Sequence, residues 1–256
     1  MKTSATAVTC IACILCAACS DVTETVTDEE TVPDTETASE SFALGDPTNR
    51  FVHDAAQLRT AEQREAFVEF SFDYPASWTV ESAGPIGSDQ VFVGEAEAPN
   101  DTRLIRVGGF ARGDANDNPF PATSLVPEIA ALVQFSAERD QAAGVIADYQ
   151  KFTTYRTVSS GFGIYGYGAD YRLTESPGQA LAYTRVLQTN VIVIPVGSTR
   201  GVEIEFMTAP ELSGIETIEE LQNEDAYRLL IDTFEIEGVA LRDLLGVEPL
   251  PPFVAE

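Results

Sequence analysis

The chain has 256 residues, of which 44% are hydrophobic, too large an apolar share for a wholly disordered polymer. Fifteen Lys and Arg stand against 41 Asp and Glu, a formal net charge of −26, so the surface repels phosphate backbones and nucleic acid is not an expected partner. A single histidine excludes His-rich metal centres.

Met1-Lys2 and a polar stretch lead into an apolar run over residues 10–19. One positive charge, a short apolar segment and small residues before a boundary predict a secretory signal over residues 1–18. The apolar part is about half of the ~20 residues that a membrane-spanning helix needs. Cys16-Ala17-Ala18-Cys19 resembles the lipobox of bacterial lipoproteins. That resemblance implies a lipid on Cys19, and Ser20 behind it implies sorting to the outer membrane, facing the periplasm. Cys16 stands where that family usually has Leu, and plain secretion is the alternative. Cys10, Cys13, Cys16 and Cys19 also form C-x2-C-x2-C-x2-C, close to a ferredoxin cluster run. The last spacing is one residue short and no proline follows, so an iron–sulfur site is rejected. A lipidated Cys19 makes no disulfide, and none is expected in the mature protein.

Residues 19–49 carry eight acids from Asp21 to Glu40 and no base before Arg50. Few large apolar groups and one sign of charge predict a disordered, extended tether. Ca²⁺ capture or a docking tail is the other use considered for it.

The folded domain is expected over residues 50–238. A short helix is predicted over 53–64. The alternation in Phe67-Val68-Glu69-Phe70-Ser71-Phe72-Asp73-Tyr74 predicts a half-buried strand ended by Pro75. Strands follow over 90–95 and 104–111, separated by a Pro-Asn-Asp turn at 99–101. Residues 124–143 change to helical period, with Pro127 in the first turn and Gly144 as a C-cap. β-Branched and aromatic residues predict strands over 151–158, 165–173, 180–194 and 201–208, the last two joined by a hairpin through Gly197. A second helix is predicted over 223–234 with Asn223 as N-cap. Residues 239–256 read as a packed or frayed tail. The order strands, helix, strands, helix predicts α+β architecture, an antiparallel β-sheet flanked by helices.

Phe70-x-Phe72-x-Tyr74-Pro75-x-x-Trp78, with the closing Leu230-Ile231-Asp232-Thr233-Phe234, resembles the Mog1/PsbP-like fold over about residues 66–237. The resemblance implies a domain that binds proteins, and it implies burial of Trp78 between the end of the sheet and a covering helix.

Few constellations point to chemistry. Gly161-Phe162-Gly163-Ile164-Tyr165-Gly166 matches G-x-G-x-x-G, but strand-like alternation follows where a nucleotide site needs a helix. The stretch is expected to be a flexible turn or a glycine-bulged strand entry with exposed aromatics, and Phe162, Tyr165 and Tyr167 form a candidate partner-binding rim. Asp114-x-Asn116-x-Asn118 lacks the glycine and final glutamate of an EF-hand. Glu95 with Glu97, and Glu203 with Glu205, share strand faces, but chance acid pairs on a solvated face are expected in so acidic a chain. His53 lies before the sheet, no G-x-S-x-G elbow occurs, and no catalytic residue, metal or cofactor is assigned. The leading expectation is a non-enzymatic, lipid-anchored envelope protein that binds another protein. The alternative is an envelope module binding Ca²⁺ or a small molecule through an acidic face.

Overall fold

Arg103-Leu104-Ile105-Arg106-Val107 and Gly201-Val202-Glu203-Ile204-Glu205-Phe206-Met207 carry large residues at nearly every position, the pattern of strands covered on both faces. A computed structural model describes residues 42–53, 68–83, 90–95, 103–111, 125–174, 183–198, 200–246 and 254–255. Its strands are β1 (Thr48–His53), β2 (Phe70–Pro75), β3 (Trp78–Ala83), β4 (Gln90–Glu95), β5 (Arg103–Ala111), β6 (Ile146–Ser159), β7 (Phe162–Leu173), β8 (Arg185–Pro195), β9 (Arg200–Thr208), β10 (Glu235–Ile236), β11 (Val239–Ala240) and β12 (Val254–Ala255). Its helices are α1 (Leu125–Ala142), α2 (Pro210–Ser213), α3 (Ile218–Gln222), α4 (Asp225–Thr233) and α5 (Leu241–Leu245).

An eight-stranded sheet runs in the order β12-β6-β7-β8-β9-β5-β4-β3, and a smaller sheet in the order β1-β2-β10-β11. Every strand pair among the described residues is antiparallel. The chain is α+β, as expected. Along β7 alternate residues serve opposite faces. Phe162 and Ile164 join the main core with Phe206, Tyr227, Leu230 and the small sheet's Phe70 and Phe72. Tyr165 and Tyr167 pack with Leu125, Ile129 and Val133 of α1. The large sheet is therefore covered by α1 on one face, and by the small sheet and the C-terminal helices on the other.

α1 ends in a Schellman closure: Val145 N–H donates to the Asp140 carbonyl at 2.9 Å and Gly144 N–H to that of Gln141 at 3.0 Å, with Gly144 at φ +72°. Ser160 and Gly161, both at positive φ, make the two-residue turn between β6 and β7. Trp78 is 6% exposed and stacks on Phe206 at 6.4 Å between ring centroids. Phe206 in turn meets Tyr227 of α4 at 5.7 Å.

Several expectations are corrected. Trp78 opens a strand, β3, that the sequence reading did not contain. Asn223 closes α3 instead of opening α4, with its Nδ2 donating to the Glu219 carbonyl at 2.9 Å. α3 itself starts with a capping box between Thr217 and Glu220. His53 is the last residue of β1, buried and stacked on Phe70 at 4.7 Å, and residues 54–64 of the predicted helix lie outside the described residues. Packing also passes both expected domain boundaries. Phe42 lies against the main core, and Leu241, Leu244 and Leu245 belong to it, which is the packed alternative of the two read for the tail.

Candidate functional site

The candidate rim is not a rim. Phe162, Tyr165 and Tyr167 are all buried, because β7 is an interior strand with layers on both sides. The glycines among them answer to packing. A Cβ on Gly163 would run into the Leu125 side chain, and one on Gly166 into the Tyr155 ring, so these positions admit neighbours rather than a phosphate. Cys19, the Asp114–Asn118 loop and Glu97 lie outside the described residues.

The acid pair Glu203 and Glu205 is also not solvated. Glu203 is 7% exposed, Glu205 4%, and Arg106 of β5 5%. Register explains how they meet. Tyr167, Asn190, Glu205 and Arg106 are successive neighbours across β7, β8, β9 and β5. In the next row Glu203 has Ile192 and Gly108 as its neighbours. All these side chains except that of Gly108, which has none, stand on the α1 face. Arg106 Nε donates to Glu205 Oε2 in a close ion pair. Arg106 Nη2 lies 3.9 Å from Glu203 Oε2, and the Tyr167 hydroxyl donates to Glu203 Oε1 at 3.3 Å.

Beside this cluster Gln188 Nε2 donates to Asn190 Oδ1 at 2.8 Å. Gln188 Oε1, Asn190 Nδ2, the Tyr165 hydroxyl and Asp140 Oδ2 are buried without a hydrogen-bond partner. Such orphaned groups are few in folded proteins.

Burial pushes the Glu203 carboxyl up to about 8, and Glu205 adds to the rise while Arg106 and the Tyr167 hydroxyl oppose it. Burial also drives the Tyr167 and Tyr171 hydroxyls upward, each helped by the nearby glutamates. Burial is the largest single influence on Arg106 and works against its charge, but the attraction and hydrogen bond of Glu205, with the smaller pulls of Glu203 and Tyr167, together outweigh it and the guanidinium stays protonated. The arrangement places a carboxyl whose hold on a proton is strengthened by burial beside a fixed cation and a phenol. It can hold and release a proton, although water has little access to it. Among the described residues no three His, Cys, Asp or Glu side chains gather as a metal site, and no helix is long and apolar enough to cross a membrane.

Sequence reasoning missed this cluster because acids on a strand read as solvent-facing. A signal was present in β5, where Arg106 is a lone cation between Ile105 and Val107, in a strand that otherwise reads as buried. A buried cation needs a buried anion, and β9 supplies the acids two residues apart.

No protein-family model and no curated protein matches the chain. Among solved structures, a protein of Bacteroides thetaiotaomicron is similar over 65% of this chain and 44% of that one, at 14% identity and a TM-score of 0.32. LpqN, involved in cell envelope biogenesis of Mycobacterium tuberculosis, is similar over 77% of this chain and 98% of that one, at 14% identity and a TM-score of 0.36. At these TM-scores neither likeness assigns a family or a function.

Proposed function

We propose that the chain is a non-enzymatic, lipid-anchored protein of the bacterial envelope, held by Cys19 and spaced from the membrane by its acidic segment. Its α+β domain, of the Mog1/PsbP-like type, binds a protein partner. The observation that carries the binding reading is the direction in which the acids point. The cluster able to hold a proton is enclosed under α1, whereas Glu211, Glu216, Glu219, Glu220, Asp232 and Glu237 are exposed along the C-terminal helical layer. Arg228 is exposed in the same layer, Glu216 pairs with Arg185 and Asp232 with Arg242, but the acids outnumber these cations, and a surface with a net excess of one sign steers a partner of opposite sign.

Crosslinking the full chain in its native envelope tests this. The expected result is one crosslinked protein whose yield falls as salt is raised. No salt-sensitive partner, together with Ca²⁺ binding in calorimetry, would replace this reading with that of an ion-binding module.

A further inference from the structure

The charges on the α1 face of the large sheet do not match one to one. Arg106 is committed to Glu205. On α1, Asp140 Oδ1 accepts from Arg139 Nη2 at 3.0 Å. Glu203 has only the Tyr167 hydroxyl and a 3.9 Å approach to a guanidinium already engaged. Its cross-strand neighbours Ile192 and Gly108 bring no side-chain donor. It is the carboxyl on this face without a cation of its own, and an ionised carboxylate so placed is strongly disfavoured.

We propose that Glu203, with Arg106, Glu205 and Tyr167, forms a proton-held latch across β5, β7 and β9. The face closes with a proton on Glu203, and on opening Glu203 gives that proton to water and becomes a hydrated carboxylate. The groups that act on it among the described residues are Glu205 on its own strand, Arg106 from β5 and Tyr167 from β7; Tyr171 of β7 is more distant, and Asp140 of α1 acts on Tyr171. β8 contributes only the uncharged Asn190 and Ile192.

The direction follows from linkage. The closed form binds the extra proton, because the Glu203 value is raised to about 8. Stability from this group is complete below the ordinary carboxylate range and is lost as pH rises through about 8. Acid favours the closed face and mild alkali the open one.

The test compares the full mature chain with Glu203→Gln, which keeps the shape and has no proton to lose. Urea unfolding is followed between about pH 5 and about pH 8, with amide exchange of β5 and β9 at each pH. The wild-type unfolding constant should rise relative to the variant by up to about tenfold per pH unit, and exchange in β5 and β9 should rise with it. Parallel curves for the two proteins would overturn the latch. If the variant does not fold, carbon-13 NMR of the wild-type carboxyls decides. A carboxyl assigned to Glu203 still protonated at about pH 7 supports the proposal, and an ionised one overturns it.

Discussion

Arg106 and Glu205 are direct neighbours on β5 and β9, and their ion pair is almost sealed from water, with side chains 6% and 5% exposed. A pair so buried adds little net stability over an apolar pair of the same size, but breaking it strands a charge. Arg106→Ala should therefore cost about 3–5 kcal/mol, while Arg106→Met combined with Glu205→Leu should recover most of that loss. Urea denaturation of the two variants checks this. A double variant as unstable as the single one would show that the pair contributes more than its own compensation.

Trp78 makes the second case. Its buried ring stacks on Phe206 of β9, which in turn meets Tyr227 of α4, so Trp78→Ala should cost on the order of 3–5 kcal/mol. Trp78 is the chain's single tryptophan, so native fluorescence reports this ring alone. Emission should be blue-shifted in the folded protein and move red on denaturation. Red emission from the native state would place the indole in water.

The N-terminal limit of packing is also testable. Deleting residues 20–40 should leave Tm within a few degrees of the parent. Extending the deletion through residue 47 removes Phe42 from the core surface, the bond from Leu44 N–H to Asp225 Oδ2 and the Pro47 carbonyl that accepts from Ala76 N–H. A loss of ~2 kcal/mol there would lower Tm by roughly 4–8 °C for a domain of this size. Equal melting of the two deletions would show that those contacts contribute nothing.

Periodicity carried the regular elements well. The strand over 90–95 and the helix that became α1 were legible because alternation and caps agree with the fold. β3 was hidden because Trp78 follows a tight turn and its strand joins a different sheet from β2. Asn223 misled because a good N-cap residue also serves a C-cap when its side chain reaches back to a carbonyl. Thr217 and Glu220, three residues apart, spelled the true start of α3. The site was the least legible part. Tyr165, Tyr167, Glu203 and Glu205 all look solvent-facing when their polar atoms are read as marking an open sheet face, and that reading hides the second covering to which the bulk of β5 and β9 points. The same double covering turned a candidate rim into core and an unremarkable acid pair into a proton-holding cluster.

The central claim is that Cys19 anchors the chain, and membrane fractionation of a Cys19→Ser variant tests it most directly. The parent should sediment with membranes and leave them only in detergent. The variant should appear in the soluble fraction or accumulate with its signal segment uncleaved. A Cys19→Ser protein that is normally processed and still membrane-bound would contradict the account.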